Sequence, residues 1–306
     1  MSQTKPSLLK IYWILMKPRV VFLLQVTALC GIFTYDFSKG YDDGRNYMDS
    51  IWTSFVVLLG GTMASGGSMA VNMWYERDTD KLMNRTKDRV LPRNKISSNG
   101  ALIFGLLLSI FSVALLFYAS NITAASLLML TIIFYIFVYT IWLKKRTPQN
   151  IVIGGAAGAF PPMIGWSVVT GSISYEICLL FLLIFLWTPP HFWALALYKS
   201  NDYKNAGIPM MPLVVGKHKT INLIILYSLT LLPITLIMSS YYSLFFGTLS
   251  TALSGIFIYL AFDLRKSYLQ KRLFEKKAQT LFYFSIIYLF NVFSILLIDN
   301  LLWNIS

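Results

Sequence analysis

The 22 residues from Asn72 to Arg93, NMWYERDTDKLMNRTKDRVLPR, hold four of the chain's thirteen acidic residues and six basic ones. They follow directly on a segment, 51–71, that carries no charge at all. On a continuous helix Asn72, Glu76 and Asp80 stand at i, i+4 and i+8, so an amide and two carboxylates share roughly one face, with Asp78 off it. Oxygen donors of this kind suit a hard divalent cation such as Mg²⁺, which completes its shell with water or phosphate. Arg85 and Arg89, again four apart, are placed to hold the remaining phosphate charge.

A second polar stretch runs from Trp187 to Pro212 and contains His191, Tyr198, Lys199, Asp202, Tyr203 and Lys204. His191 sits in an apolar segment after Pro189 and Pro190. It reads either as a hydrogen-bonded packing residue or as a functional group, since ionisable side chains inside a membrane usually have a role. Tyr198 and Asp202 are four apart, a spacing that brings another carboxylate to one face. His218, flanked by lysines, reads as a solvated loop residue. Cys30 and Cys178 read as two buried small hydrophobes, because no CxxCH, metal-ligand or disulfide spacing surrounds them.

The elements that must position these groups are membrane helices. Of the 306 residues 56% are hydrophobic, 16% aromatic and only 13% charged, too apolar for an ordinary soluble domain. An all-α polytopic membrane protein is expected, a single unit over 1–306 with about nine spanning helices around a central cavity. A helix rising about 1.5 Å per residue crosses a hydrocarbon core of roughly 30 Å in about 20 residues. The runs that do so are 20–35, 51–73, 100–119, 122–143, 150–169, 174–198, 220–239, 241–262 and 280–303. The stretch after Arg19 lacks a small-x-small cleavage pattern, so it is expected to stay as the first span.

The net charge of +13 is topology, with no nucleic acid implied. With the N-terminus inside, 24 of the 26 Lys and Arg residues fall on the inner side, and Lys39 and Arg45 alone fall outside, beside Asp36, Asp42, Asp43 and Asp49. The positive-inside rule then makes the N-terminus cytoplasmic and the C-terminus external, with the Asn72–Arg93 stretch at the cytoplasmic face. A transporter would place its carboxylates near the bilayer midplane on broken helices, and these cluster at a boundary instead.

The second span is rich in small residues, Gly60, Gly61, Ala64, Ser65, Gly66, Gly67, Ser68 and Ala70, which permit close helix approach or leave room for a bulky ligand above Asn72. Between Leu143 and Trp166, Gly154, Gly155, Gly158, Pro161, Pro162 and Gly165 are expected to interrupt a spanning segment, a feature tolerated beside protein or a cavity. A phosphate-cradling loop is excluded there, because no GxxxxGK[ST] pattern occurs. The basic segment 263–277 reads as a solvated inner loop or as a surface helix touching anionic lipid, and the last three spans carry little that resembles chemistry.

The Asn72-x-x-x-Glu76-x-x-x-Asp80 pattern resembles the Asn-x-x-x-Asp-x-x-x-Asp motif of the UbiA superfamily of intramembrane prenyltransferases, with Glu76 in the middle place. The tracts Asn72–Asp80, Met83–Arg89, Asn150–Trp166 and Trp187–Trp193 through Asp202, Tyr203, Ala206 and Gly207 to Pro212 are similar to the branch whose acceptor is haem. The likeness covers most of the chain from Lys17 to Pro212. Lys199 and Ala206 stand where acidic residues occur in ubiquinone-type members, which argues against an aromatic acceptor of that type.

This resemblance implies a UbiA-like fold in a bacterial inner membrane. It implies transfer of a farnesyl group from farnesyl diphosphate to a vinyl group of haem B, with release of diphosphate. Asn72, Glu76 and Asp80 would then hold Mg²⁺, while Arg85, Arg89 and Lys145 neutralise the leaving group and His191 ligates or orients the haem. Tyr198, Lys199 and Asp202 form the second polar motif. A haem A synthase or a terminal oxidase under assembly would receive the product. Another polyprenyl transfer or a transport function are the rival readings.

The charge pattern generates a direct test of topology in a background without Cys30 and Cys178. Single cysteines at 42, 121, 172 and 240 should label from outside intact cells, and those at 85, 145, 205 and 270 only once the inner face is opened. Positions 42 and 85 reacting from the same side would overturn this topology.

Overall fold

The structure is a computed structural model; it describes residues 7–84 and 86–303, without the side chains of 40, 200–202 and 303. Twelve α-helices follow one another: α1 (Leu8–Leu15), α2 (Pro18–Tyr35), α3 (Tyr47–Asp80), α4 (Ser98–Ala119), α5 (Ile122–Ile133), α6 (Asn150–Thr170), α7 (Tyr175–Tyr198), α8 (Ser200–Asn205), α9 (Met211–Val214), α10 (Gly216–Met238), α11 (Leu244–Leu269) and α12 (Phe274–Trp303). Short π-helical stretches extend α2 over Asp36–Gly40 and α5 over Phe134–Leu143. Among the described residues nine helices are long and apolar enough to cross a membrane, the all-α architecture and number of spans expected.

Local chemistry explains where these helices begin. At α3 the Asn46 side chain accepts from the backbone of Met48 and Asp49 while Asp49 accepts from the Asn46 N–H, a reciprocal cap. Ser97, Asn121, Ser174 and Ser243 cap α4, α5, α7 and α11 in the same position, each satisfying amides that have no partner inside the helix. The second span, α3, is longer than the 51–73 run suggests and continues to Asp80. The polar face therefore belongs to the membrane helix itself.

The glycine and proline residues between 143 and 166 do not interrupt a span as expected. α6 is one helix from Asn150 to Thr170 with Pro161 and Pro162 inside it, and α7 likewise carries Pro189 and Pro190. Packing decides this: α6 presses on α2 so closely that a Cβ on Gly165 would strike the Ala28 carbonyl oxygen, and one on Gly31 the Pro162 carbonyl oxygen. α3 and α4 meet similarly, where a Cβ on Gly67 or Gly105 would lie 2.7 or 2.8 Å from the other's carbonyl oxygen. Two smaller readings also change. Cys178 is exposed, Cys30 alone is buried, and His218 lies exposed in the first turn of α10.

The outward faces carry exposed Leu106, Ile110 and Phe111 on α4 and Ile286, Ile287 and Phe290 on α12. Such a surface is at home against lipid tails, where helix association rests on close packing and polar contacts. The main core runs through α2, α6, α7, α10, α11 and α12, with Trp193, Phe246, Phe257 and Tyr288 fully enclosed.

The α2–α6 contact yields a stability test. Gly165→Val must displace backbone and should cost about 1–3 kcal/mol or more, read as a lower unfolding temperature in detergent. Gly158, whose Cβ would meet nothing within 4 Å, should accept Ala with no loss and a gain of up to about 1 kcal/mol. Equal tolerance of both substitutions would contradict the contact.

Candidate active site at the end of α3

Asn72, Glu76 and Asp80 lie on one face of the last turns of α3 and are 1%, 5% and 2% exposed. The Asp78 side chain, off that face, is 71% exposed and pairs with Lys81 at 2.9 Å. Taking two carboxylates out of water costs several kcal/mol each unless a cation and hydrogen bonds replace the water. The structure supplies one cation per acceptor. Lys17 Nζ donates to Asn72 Oδ1 at 3.0 Å, Lys144 forms an ion pair with Glu76, and Arg89 Nη1 donates to Asp80 Oδ2 at 2.7 Å. Asn72 also donates through Nδ2 to Thr140 Oγ1 at 3.2 Å.

Each cation comes from a different part of the chain. Lys17 joins α1 to α2 in a left-handed conformation, φ 50°, a region that non-glycine residues seldom occupy. The following proline disfavours a helical backbone at this residue, so the chain turns sharply here. α1 is anchored by Ile11 and Leu15, which pack with Ala70 and Met73 of α3 and with Val90 and Leu91 of the next loop. Arg89 lies in that loop, which Thr86 pins by donating to the Asp80 carbonyl oxygen at 2.9 Å. Lys144 ends the π-helical stretch, where its N–H donates to Tyr139 O at 3.0 Å in an i→i+5 bond. π-Helical turns of this kind recur at functional sites.

The electrostatics follow from the crowding of these charges. Burial, then repulsion from Arg89 and Lys144, brings Lys17 down to about 7. Lys144 goes the other way: burial opposes its charge, but Tyr139 and Glu76 beside it hold it above the ordinary lysine value. Tyr135 and Tyr139, rings 5.5 Å apart, line the same wall, and the Tyr135 hydroxyl donates to Met69 Sδ at 3.2 Å.

For the remaining expected residues, Lys145 is exposed and lies over the Tyr75 ring at 5.9 Å, while its neighbour Lys144 pairs with Glu76. Arg85 and the Asp202 side chain lie outside the described residues. Tyr198 meets Phe282 edge-on at 6.1 Å, and the exposed Lys199 lies over Tyr198. The loops bearing the two polar motifs nevertheless meet: Met83 after α3 packs with Ile151, Ala196, Ala206, Ile208 and Met210, and Phe192 and Tyr203 pack against this cluster. His191 belongs to another group, with its ring between Trp187 at 4.4 Å and Phe282 at 4.7 Å and its Nδ1 2.6 Å from Ser285 Oγ.

Lys17, Lys144, Thr140 and Ser285 are the residues that sequence reasoning did not assign. The Lys17-Pro18-Arg19 entry marked the interface without suggesting a bond to Asn72, and nothing in the last span singled out Ser285. α12 thus supplies a hydrogen-bond partner to His191 through Ser285.

The donor set fits a hard divalent cation. Among the described residues no group of three His, Cys, Asp or Glu gathers, but Mg²⁺ needs only one or two carboxylates with water and phosphate oxygens to complete its shell. Two carboxylates and the Asn72 amide satisfy that requirement, with Lys144 and Arg89 as the present counterions.

The UbiA prenyltransferase family matches residues 44–287. A protoheme IX farnesyltransferase of Bartonella henselae is 48% identical over 303 residues, covering 98% of this chain and 93% of that relative. One of Pelagibacter ubique is 47% identical over 94% of this chain and 92% of its own length. In fold, the chain is similar to a solved structure of digeranylgeranylglyceryl phosphate synthase, with a TM-score of 0.75 at 19% identity over 96% of this chain and 98% of that one. It is also similar to a UbiA homologue from Archaeoglobus fulgidus bound to GPP and Mg²⁺, with a TM-score of 0.62 at 16% identity, covering 94% and 99% of the two chains. The chain belongs to the UbiA prenyltransferase family and, within it, to the protoheme IX farnesyltransferases.

Proposed function

We propose that this membrane protein transfers the farnesyl group of farnesyl diphosphate to a vinyl group of haem B, forming haem O and diphosphate. The observation that carries this reading is the likeness, over nearly the whole of both chains, to relatives named protoheme IX farnesyltransferase. The geometry at the end of α3 supports it, because a buried site with three cations around two carboxylates suits a ligand that brings both phosphate and a divalent metal.

In this reading Asn72, Glu76 and Asp80 hold Mg²⁺, and the A. fulgidus homologue's Mg²⁺ and GPP lend weight to that. The ion, when bound, offsets the charge that builds on the departing diphosphate. Lys144, Arg89 and Lys17 turn from their carboxylate and amide partners towards diphosphate oxygens, with Lys144 taking the role first given to Lys145. Arg85 remains assigned to the same task from the sequence. The C–O bond of farnesyl diphosphate breaks and diphosphate leaves with the electron pair. The allylic carbon then bonds to the terminal vinyl carbon of haem B, water adds to the cation left beside the porphyrin, and a proton is released. Tyr135 and Tyr139 offer ring faces to the allylic cation.

His191 ligates or orients the haem, and Tyr198, Lys199 and Asp202 keep the place that the sequence gives them, the second polar motif. The site faces the cytoplasm, with the N-terminus on that side and the C-terminus outside, as the charge bias requires. The product keeps its tail in the bilayer and passes to a membrane partner, a haem A synthase or an oxidase under assembly.

Glu76→Gln and Asp80→Asn should each lower kcat/KM at least about 100-fold, equivalent to about 2.7 kcal/mol of transition-state stabilisation, and Asp78→Asn should stay within about twofold. Glu76→Gln also strands Lys144, so the single variant should unfold earlier. Glu76→Gln combined with Lys144→Met should recover stability without recovering turnover. Recovery of both would show that Glu76 serves only as a counterion.

Separate binding measurements should divide the substrates. Arg89→Ala is expected to weaken farnesyl diphosphate binding about tenfold and leave haem binding intact, and His191→Ala to do the reverse. Parallel loss of both ligands with a lower unfolding temperature would instead mark His191 as a packing residue.

A further inference from the structure

The imidazole of His191 is held by four neighbours. Trp187 and Phe282 stack on it with interplanar angles of 18° and 25°, Phe192 meets it edge-on at 5.2 Å, and Ser285 Oγ contacts Nδ1 at 2.6 Å. Trp187, one turn before His191, donates its Nε1–H to the Ser285 carbonyl oxygen at 2.8 Å. Ser285 thereby links two side chains of α7 to α12 by hydrogen bonds, beside the stacking of Phe282. Ser285 is fully buried and lies 94 residues from His191 in the chain.

The direction of the Ser285–His191 bond follows from the other contact of the same hydroxyl. Ser285 Oγ also lies 2.6 Å from the Phe282 carbonyl oxygen, which can only accept. A hydroxyl has one proton, and it is used there. Towards His191 the oxygen therefore presents a lone pair, so Nδ1 must carry the hydrogen and donate it. In a neutral ring the other nitrogen, Nε2, is then the unprotonated one. Nε2 has no hydrogen-bond partner among the described residues, and the His191 side chain is only half-buried.

We propose that Ser285 is a positioning residue that fixes His191 in the Nδ1–H tautomer and leaves Nε2 as a lone-pair donor for the iron of the haem substrate. This rests on the haem role of His191 proposed above. A hydrogen bond from the non-ligating nitrogen orients a metal-binding histidine and raises its basicity, and loss of such a partner typically weakens metal affinity about 10–100-fold. The stacked rings fix the plane of the imidazole, and Ser285 fixes which nitrogen is free.

The tautomer can be read without haem. Nitrogen-15 NMR of histidine-labelled protein in bilayers, with His218→Asn leaving His191 as the only histidine, should show a protonated Nδ1 and a bare Nε2. A protonated Nε2 would overturn the proposal. In Ser285→Ala the resonances should shift towards a mixture, haem B affinity should fall at least about tenfold, and the iron–histidine stretch of the ferrous haem complex should move. Farnesyl diphosphate affinity and unfolding temperature should not change. Ser285→Thr, which keeps the hydroxyl, should restore the tautomer and the stretch. Unchanged haem affinity in Ser285→Ala, alongside weakened affinity in His191→Ala, would overturn the positioning role and leave the haem role of His191 standing. A stable His191→Ala protein with normal haem affinity would overturn both.

Discussion

The structure depends on how two carboxylates can be kept out of water at the end of α3. In a low-dielectric interior an unpaired carboxylate is far too costly, so Glu76 and Asp80 can be buried only if cations reach them. Those cations lie 68 and 9 residues away, and the amide of the same face is met by a lysine 55 residues away in the other direction. Three chain segments are thereby tied to one helix face. The left-handed Lys17 between α1 and α2, the Thr86 bond within the following loop and the π-helical stretch before Lys144 each deliver one positive group.

The same pairs that make burial of these carboxylates tolerable suit the proposed ligand. Cations already desolvated and already facing carboxylates need little reorganisation when a metal diphosphate brings the complementary charges, which is the condition under which fixed charges act most strongly. In the proposed reaction, exchange of partners, Lys144 and Arg89 to phosphate and Glu76 and Asp80 to metal, would keep every buried charge compensated. The apolar cluster around Met83 and Ile208 joins this loop to the one after α8, so the end of the bundle behaves as one packed surface.

The helices behind the site are set by another constraint, close backbone approach. Lipid provides no hydrophobic drive for helix association, so contact area and polar links must hold the bundle. Gly31 and Gly165 bring α2 onto α6, Gly67 and Gly105 bring α3 onto α4, and Trp187 and His191 tie α7 to α12 through Ser285. The prolines inside α6 and α7 are carried within helices that remain continuous.

The amino-acid sequence alone determined what depends on local pattern. Apolar runs of about 20 residues mark the nine spans, the charge asymmetry ranks the loops, and the four-residue spacing of Asn72, Glu76 and Asp80 puts them on one face, because helix period is a property of the chain itself. The exposed position of Asp78 follows from the same period. What only the tertiary structure decided is which distant groups meet that face. Lys144 and Lys145 are adjacent and chemically identical, and the π-helical turn before them selects the first. Lys17 reaches Asn72 through a backbone conformation that no composition rule signals. Ser285, one of two serines in an apolar span, acquires its place only because α12 packs against α7 beside His191, and the pairing of hydrogen-bond donors with acceptors is settled by that packing rather than by spacing.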